Sequence, residues 1–390
     1  MDGGSFFRKG IIMNEKEIGE IRRRLRPEKN NISHICGCFV NEKREIVSLF
    51  SQSLSLMGQE EAEAYLSLLK KTLSGGLGKN LIDISFTTRQ VADSGEHRLL
   101  MDLRSSELRD QALMETFFRK VIASLTLEGS YLILLARDVY DVPYRGKDGE
   151  TDADNSAEVF TYLVCAICPV KAMKPALSYS IDEKVFHTRE GGFVAAAPEL
   201  GFLFPAFDQR ATNLYNALYY SRDTAESHQE LVDALFRTEL PMPAAAQKET
   251  FQTILGDTLA EQCSYDVVQA VHDDLRCRIE AHKEAKIPEP LTVSRETFRE
   301  VLRDSGVSDD HVSYFDQRFE ATFGADTDLP PKNIVDDRQF EIKTPDVTIK
   351  VNPDRSDLIE TRVINGSRYI LICADDGVEV NGIPIHIDNK

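Results

Sequence analysis

The sequence predicts an α+β protein, with a mixed or antiparallel sheet and packed helices, then a helical middle segment and a C-terminal β tail. Three observations predict this class. Strand and helix patterns are mixed as far as residue 210, helical spacing dominates residues 211–323, and strand patterns fill residues 339–390. Because strands and helices do not alternate regularly, the order disfavours a doubly wound α/β fold.

The first part of the chain carries both kinds of element. An amphipathic helix begins just after Met13, since Ile18, Ile21 and Leu25 recur on one helical face. The polar turn 41–44 separates two strand-like stretches and predicts a hairpin. The elements predicted after the first helix are strands 32–40 and 46–54, helix 60–73, strands 81–87 and 98–103, helix 105–125, strand 131–136, a polar loop over 138–156, and strands 159–170, 185–188, 193–197 and 201–204.

Helical spacing takes over from residue 212. Ser264, Ser294 and Ser308 are expected to be N-caps, since a serine hydroxyl accepts from the first backbone N–H groups of a helix. Asn365-Gly366 predicts a hairpin in the tail. The predicted elements are helices 214–220, 227–236, 246–262, 264–285, 294–303 and 308–323, then strands 339–344, 347–351, 358–364, 368–373 and 378–382.

These patterns divide the chain into four parts after its first residues. They are an α+β core domain (13–210), a helical region (211–323), a linker (324–338) and a small C-terminal β domain (339–390). Residues 1–12 are expected to be a leader or a disordered segment. Arg8-Lys9-Gly10 back-translates to a purine-rich string of the kind that binds a bacterial ribosome, so native translation is expected to begin at Met13.

The totals exclude several classes of protein. The 390 residues include 64 acidic and 46 basic side chains, for a formal net charge of -18, and 7 cysteines. Collagen-like, low-complexity and disulfide-scaffold chains are excluded, and the acidic balance opposes non-specific adhesion to nucleic acid or anionic lipid. No apolar stretch approaches the roughly 20 residues of a membrane span, and no signal peptide pattern is present. We therefore expect a cytoplasmic protein with reduced thiols and no membrane partner.

Two cysteine pairs raise the question of a zinc site. Cys36 and Cys38 are two residues apart and share one face of a strand, whereas Cys165 and Cys168 are three apart and lie on opposite faces. This spacing is not a common zinc pattern, so buried core thiols are the preferred interpretation. Segment 74–80 fails as a phosphate loop, because it lacks the first Gly and ends in Asn in place of Ser or Thr. No metal or other cofactor is predicted.

A group of strand-end residues is the candidate catalytic set. Loops at strand ends often carry function, and carboxylates there suggest acid–base chemistry. The catalytic candidates are Asp138, Asp141, Asp208 and Arg210. They support the alternative hypothesis of a hydrolase or nuclease-like enzyme. An enzyme should bring the two loops, 137–145 and 205–215, to one pocket, and a wide separation of Asp138 and Asp208 would exclude it.

A row of arginines is the candidate anion-binding set. Arg and Lys rows contact phosphates, although four interleaved glutamates also fit an ordinary solvated helix face. The candidates are Arg22, Arg23, Arg24 and Arg26. The leading hypothesis is a non-enzymatic binding protein, with an unknown protein partner or nucleic acid as its ligand, which includes a nucleoid-associated role. A homo-oligomer is left open.

Several stretches of the chain resemble one family. They are residues 132–144, 201–207, 241–243 with 247–251, and 343–353. The chain resembles a bacterial family of about this length, typical of clostridial-type Gram-positive anaerobes and described only as a domain of unknown function. The resemblance covers residues 13 to about 387 and begins at the Met13 equivalent. It implies a cytoplasmic bacterial protein and brings no activity.

Overall fold

The computed structural model describes residues 13–145, 151–180, 183–226, 228–287, 290–325, 327–375, 377–380 and 382–386. The predicted leader, residues 1–12, lies outside these ranges, as does the stretch 147–149 of the predicted polar loop. The chain divides into two compact units, one of residues 1–245 with 288–290 and one of residues 246–287 with 291–390. Antiparallel sheets and several helices confirm the predicted α+β class.

The first unit contains six helices and twelve strands among its described residues. The helices are α1 (Glu15–Arg24), α2 (Gln59–Lys71), α3 (Thr88–Asp93), α4 (Gly95–Ser105), α5 (Gln111–Ser124) and α6 (Gln229–Leu235). The strands are β1 (His34–Val40), β2 (Ile46–Ser53), β3 (Leu81–Ser85), β4 (Ser130–Arg145), β5 (Thr151–Met173), β6 (Ala176–Ser180), β7 (Val185–Arg189), β8 (Gly192–Ala195), β9 (Leu200–Phe204), β10 (Ala206–Asp208), β11 (Ala211–Asn213) and β12 (Asn216–Ser221).

One antiparallel sheet organises this unit. Its strand order is β2-β1-β4-β5-β9-β12-β3, and β8 pairs with the far end of β5. The neighbours β1 and β2 form the predicted hairpin, which is confirmed. At the opposite edge, β3 pairs with β12, its single strand neighbour among the described residues. Two smaller ribbons, β6 with β7 and β10 with β11, lie outside this sheet.

Each face of the sheet has its own apolar core. Successive strand residues point to opposite faces, so Leu134 and Leu135 of β4 belong to different cores. Helices α4, α5 and α6 cover the face that carries Leu135, while α1 and α2 cover the face that carries Leu134. The predicted apolar stripe of α1 is buried in the second core.

The segment 98–125 differs from its predicted structure. The predicted strand 98–103 is part of α4, whose buried His97, Leu100 and Leu103 recur every three residues, as helical spacing requires. The predicted single helix 105–125 is wrong at its start. Helix α4 ends at Ser105, and Glu107 and Leu108 take left-handed φ angles of 55° and 59°, which stops a helix. Helix α5 begins after Asp110, whose carboxylate caps it.

Two further predicted elements are wrong. The predicted loop 138–156 is largely a continuation of β4 and β5, which pair antiparallel as far as Arg145 and Thr151. The predicted helix 214–220 overlaps β12, which lies between β9 and β3 and is buried on both faces. A short run of consecutive apolar residues has no periodicity, so its pattern does not distinguish a buried strand from a buried helix.

The second unit joins a helical part to strand pairs. Its elements are α7 (Ala244–Leu259), α8 (Tyr265–Glu284), α9 (Arg295–Asp304), α10 (Asp309–Phe323), α11 (Pro331–Ile334), β13 (Phe340–Lys343), β14 (Thr348–Val351), β15 (Ile359–Ile364), β16 (Ser367–Ile372), β17 (Val378–Val380) and β18 (Ile383–Ile385). The predicted caps Ser264 and Ser294 are confirmed, whereas Ser308 makes no side-chain cap bond. The short α11 lies within the predicted linker.

The tail consists of three antiparallel pairs, β13–β14, β15–β16 and β17–β18. Asn365 and Gly366 both have positive φ, at 51° and 82°, as a two-residue hairpin turn requires, so this prediction is confirmed. No helix in the described ranges combines the length and the apolar run needed to cross a bilayer.

Candidate functional site

A cavity of about 510 Å³ opens beside the C-terminal half of α1. Its walls come from α1, the connection to β1, strand β4 and the turn between β10 and β11. We call it the α1 cavity; its lining residues are Glu20, Arg23, Arg24, Glu28, Lys29, Asn30, Asn31, Tyr140, Pro143 and Arg210. Both predicted groups, the arginines and the strand-end loops, therefore contribute to one site.

Helix α1 orients the first wall of the cavity. Asn14 and Glu17 form a reciprocal capping box that fixes where the helix begins. Residues three and four apart lie side by side on a helix, so Glu20, Arg23 and Arg24 share one face next to the buried apolar stripe. The helix therefore presents one carboxylate and two guanidinium groups to the cavity.

Arg24 is held firmly in place. Its Nε and Nη2 atoms donate to the two carboxylate oxygens of Asp138 at 3.1 and 3.2 Å, and Nη2 also donates to the carbonyl oxygen of Val139 at 3.2 Å. The guanidinium lies over the ring of Tyr140, with Cζ 4.5 Å from the ring centroid. The side chain of Arg24 is 15% exposed and that of Asp138 is fully buried.

The carboxylate of Asp138 has no acceptor capacity left. Besides the two bonds from Arg24, it receives the backbone N–H of Asn31 at 2.6 Å and the hydroxyl of Tyr162 at 2.8 Å. Four donors occupy the four lone-pair positions of a carboxylate. Burial, and next the charge of Asp138, raises the pKa of Tyr162, so this phenol stays protonated as a donor. Asp138 thus fixes the position of Arg24.

A second ion pair forms the opposite wall. The carboxylate of Glu20 accepts from the Tyr140 hydroxyl at 2.7 Å and from Arg210 Nη1 at 2.9 Å, while Arg210 Nη2 donates to the carbonyl oxygen of Pro143 at 2.7 Å. Burial, followed by the hydrogen bond to Glu20, raises the pKa of Tyr140 to about 12. Arg210 is therefore anchored at both ends of its guanidinium.

The turn that carries Arg210 has an unusual backbone. Gln209 and Arg210 both have positive φ, at 49° and 62°, a conformation disfavoured for residues with a side chain. The carboxylate of Glu17 accepts the backbone N–H of Asn14 at 2.9 Å, and the backbone N–H groups of Gln209 and Arg210 also act to lower its pKa. Burial outweighs these bonds and raises the pKa of Glu17. The capping carboxylate of α1 therefore also supports the turn that positions Arg210.

Two cations at the rim differ from these anchored arginines. Arg23 and Lys29 are exposed and line the cavity, and within the described ranges neither belongs to an ion pair. The lining contains four basic and two acidic side chains, with Asp138 behind Arg24 as a third carboxylate. The cavity thus keeps a positive balance in a chain of net charge -18.

Other predicted site residues lie elsewhere. Arg22 does not line the α1 cavity, and Arg26 lines a separate depression of about 260 Å³ next to Lys70. Asp141 is exposed on β4. Asp208 accepts from the side chain of Asn213 at 3.0 Å and is absent from the lining. The two predicted loops thus meet through Pro143 and Arg210 and bring no free pair of aspartates together.

The buried cysteines lie within the sheet as the strand offsets predict. Cys36, Cys38 and Cys165 belong to one core and Cys168 to the other, so Cys165 and Cys168 point to opposite faces. Burial raises the pKa of Cys38 and Cys168 to about 12. No group of three metal-binding side chains occurs in the part of the chain that the structure describes.

Sequence reasoning missed Glu20, Asn31 and Tyr162. Glu20 is one of the four interleaved glutamates that fit a solvated helix face, yet it is 9% exposed. Its spacing of three and four residues before Arg23 and Arg24 is the local signal that could have placed it in the site. Asn31 and Tyr162 approach Asp138 from 107 and 24 residues away, and no local pattern indicates such contacts.

Comparison with known proteins gives one family. Residues 13–383 match the family model described as Domain of unknown function (DUF4317). No curated protein matches the chain.

Proposed function

The chain belongs to the DUF4317 family, whose description assigns no activity, and on that premise we propose that it is a non-enzymatic binding protein whose α1 cavity takes a phosphate-bearing ligand. A nucleotide and a segment of a nucleic-acid strand offer the same chemistry to such a cavity. The proposal keeps the expected reducing compartment, since the seven cysteines are all free thiols.

The observation that carries this proposal is the pair of rim cations. Arg24 and Arg210 are already bound to Asp138 and Glu20, so they shape the cavity. Arg23 and Lys29 have no described ion-pair partner and add positive charge where a ligand enters. Lys and Arg side chains placed in this way bind phosphate oxygens and attract anions over a distance.

The size of the cavity agrees with a small ligand. Pockets that hold small molecules have volumes of roughly 300–1,000 Å³, and the α1 cavity has about 510 Å³. The ring of Tyr140 has Arg24 over one face, and the ring of Phe207 lies 6.1 Å away. Recognition therefore rests on charge and hydrogen bonds more than on stacking of a base on Tyr140.

The alternative of a hydrolase or nuclease-like enzyme has weaker support. A general base needs a lone pair that can take a proton from the nucleophile. The oxygens of Asp138 accept four hydrogen bonds, and the carboxylate of Glu20 accepts from Tyr140 and Arg210. Asp138 and Glu20 thus hold cations in place, while Glu28, the other carboxylate of the lining, is exposed at the surface.

Fluorescence anisotropy of labelled oligonucleotides tests the proposal. The full chain is titrated against 5′-phosphorylated single-stranded RNA, single-stranded DNA and duplex DNA at two salt concentrations, and unlabelled mononucleotide is the competitor. The variant Arg23→Ala/Lys29→Ala should weaken binding at least about tenfold, and reduce the slope of log affinity against log salt by about 1.4 for a single strand. The control Arg22→Ala/Arg26→Ala removes the same charge outside the cavity and should change affinity less than about twofold.

The direct titrations and the competition experiment distinguish a mononucleotide from a nucleic-acid strand as the source of the phosphate. Competition by the mononucleotide identifies a small ligand, and binding of strands without such competition identifies nucleic acid. Equal losses in the two double variants would overturn the cavity as the site, because they would indicate a general effect of charge on the helix. No binding of any probe at low salt would overturn the proposal.

A further inference from the structure

The opposite face of β4 carries a second cluster of arginines. Arg137 precedes Asp138 in β4, so its side chain points to the face covered by α4 and α5. Its Nε atom donates to the carbonyl oxygen of Arg104, in the last turn of α4, at 2.9 Å. Arg104 Nε donates in turn to the carbonyl oxygen of Thr161 on β5 at 2.7 Å. Each guanidinium group is therefore held by the hydrogen bond that its Nε atom donates.

No acid compensates these two charges in the described ranges. Neither Arg104 nor Arg137 belongs to an ion pair there, and each makes its only recorded side-chain hydrogen bond through Nε. Burial lowers the pKa of the Arg104 guanidinium, and the charge of Arg137 lowers it further. Two partly buried cations thus repel each other without a counter-ion from the protein.

The C-terminus of α4 offsets only part of this charge. A helix C-terminus acts as roughly half a negative charge, whereas two guanidinium groups carry two full positive charges. At least one positive charge therefore remains. Within the described ranges the terminal Nη groups donate to no protein acceptor, and a guanidinium group with free N–H donors can bind an oxyanion.

From this geometry we infer that Arg104 and Arg137 form a binding site for a phosphate group. The site is distinct from the α1 cavity, since it lies on the other face of the sheet and shares none of the residues that line the cavity. The inference does not depend on the proposed function. The ligand is either free phosphate or a small phosphomonoester, and the guanidinium groups of Arg104 and Arg137 would hold both.

Isothermal titration calorimetry of the full chain with inorganic phosphate, at low ionic strength and pH 7, tests this inference. The unaltered chain should bind with a dissociation constant of about 1 mM or tighter. Arg137→Met should weaken binding at least about tenfold. The matched control is Arg109→Met, since Arg109 is exposed and pairs with Glu107 at 2.9 Å; it should leave binding unchanged.

The Arg23→Ala/Lys29→Ala variant separates the two sites. It should retain the phosphate binding that Arg137→Met removes, and Arg137→Met should leave oligonucleotide affinity unchanged. A phosphate site lost with Arg23 and Lys29 but kept in Arg137→Met would overturn this inference while leaving the α1 cavity intact. Absence of phosphate binding in the unaltered chain would also overturn it.

Two additions keep the test decisive. Arg104→Lys retains the charge and the fold but loses the planar fork, so phosphate should bind several-fold more weakly than to the unaltered chain. Titration with glycerol phosphate then shows the ligand type. Binding equal to that of inorganic phosphate indicates that the site accepts an ester, and weaker binding indicates free phosphate.

Discussion

Two neighbouring residues of β4, Asp138 and Arg137, differ in whether the surrounding protein neutralises their charge. On one face, Asp138 is fully buried, and Arg24, Asn31 and Tyr162 supply all the donors that its carboxylate can accept. On the other face, Arg137 lies next to Arg104 with no described acid in contact. A buried charge with a complete set of partners holds the fold together, while a partly buried surplus of like charge favours a ligand that supplies the missing one.

The largest expected effect comes from removing Asp138, the buried carboxylate whose acceptor positions are all occupied. Asp138→Ala leaves Nε of Arg24, the backbone N–H of Asn31 and the hydroxyl of Tyr162 without their acceptor, while Nη2 of Arg24 keeps its bond to the carbonyl oxygen of Val139. We expect the free energy of unfolding to fall by about 3–5 kcal/mol, because removing one member of a buried charge pair leaves its partners buried without it. Denaturant unfolding measures this loss. The control Asp141→Ala, on the same strand but exposed, should stay within about 0.5 kcal/mol of the unaltered chain. Equal effects of the two changes would refute the contrast.

The next prediction compares the two sides directly. Arg24→Met removes charge-assisted bonds to a fully buried carboxylate, and we expect a loss of about 2–3 kcal/mol. Arg137→Met removes one bond to a carbonyl but also relieves repulsion with Arg104, so the change should stay within about 1 kcal/mol. Paired urea titrations give both values. A larger loss for Arg137→Met would show that this arginine is also part of the structural framework.

The dependence of stability on alkaline pH tests the role of Tyr140. Its pKa is about 12 in the folded chain against 10 for an ordinary tyrosine, so between these values the folded state keeps a proton that the unfolded state releases. Stability must therefore fall as pH rises from about 10 to 12, and Tyr140 contributes up to about 1.4 kcal/mol per pH unit to that fall. Tyr140→Phe should show a shallower decline over this range than the unaltered chain. Parallel curves at all pH values would contradict the assignment.

The smallest expected effect concerns the turn that carries Arg210. Gln209 has a φ of 49°, and its side chain is exposed. Asn tolerates this left-handed conformation better than Gln, so Gln209→Asn should raise the free energy of unfolding by about 0.5–1 kcal/mol. Gln209→Ala, with no such preference, is the control and should give no gain. Thermal unfolding of the three chains side by side measures the difference.

Local patterns predict much of the fold. The buried stripe of α1, the β1–β2 hairpin, two of the three proposed serine caps and the Asn365-Gly366 turn all follow from residues close in sequence. The wrong predictions of secondary structure lie where the local sequence pattern is ambiguous between helix and strand. The run 216–221 is buried on both faces because β12 lies between β9 and β3, and these neighbours are not local to it in the sequence.

The candidate site was only partly predictable for the same reason. The sequence indicates that Arg23, Arg24 and Arg210 are available, but not which of them an acid already holds. Arg24 meets its carboxylate across 114 residues and Arg210 meets Glu20 across 190. Which cations remain for a ligand depends on sheet order, and the sheet order is a property of the whole unit.

The edge position of β3 has a consequence for synthesis of the chain. Strand β3 ends at Ser85, yet the strand that pairs with it, β12, begins at Asn216. Ribosomes add about 5–20 residues per second, so β3 leaves the ribosome roughly ten seconds before the strand that will hold it. During this interval Leu81, Ile82 and Ile84 have no sheet to join. We therefore expect the nascent chain to expose this apolar segment, with its risk of aggregation, until β12 has been made.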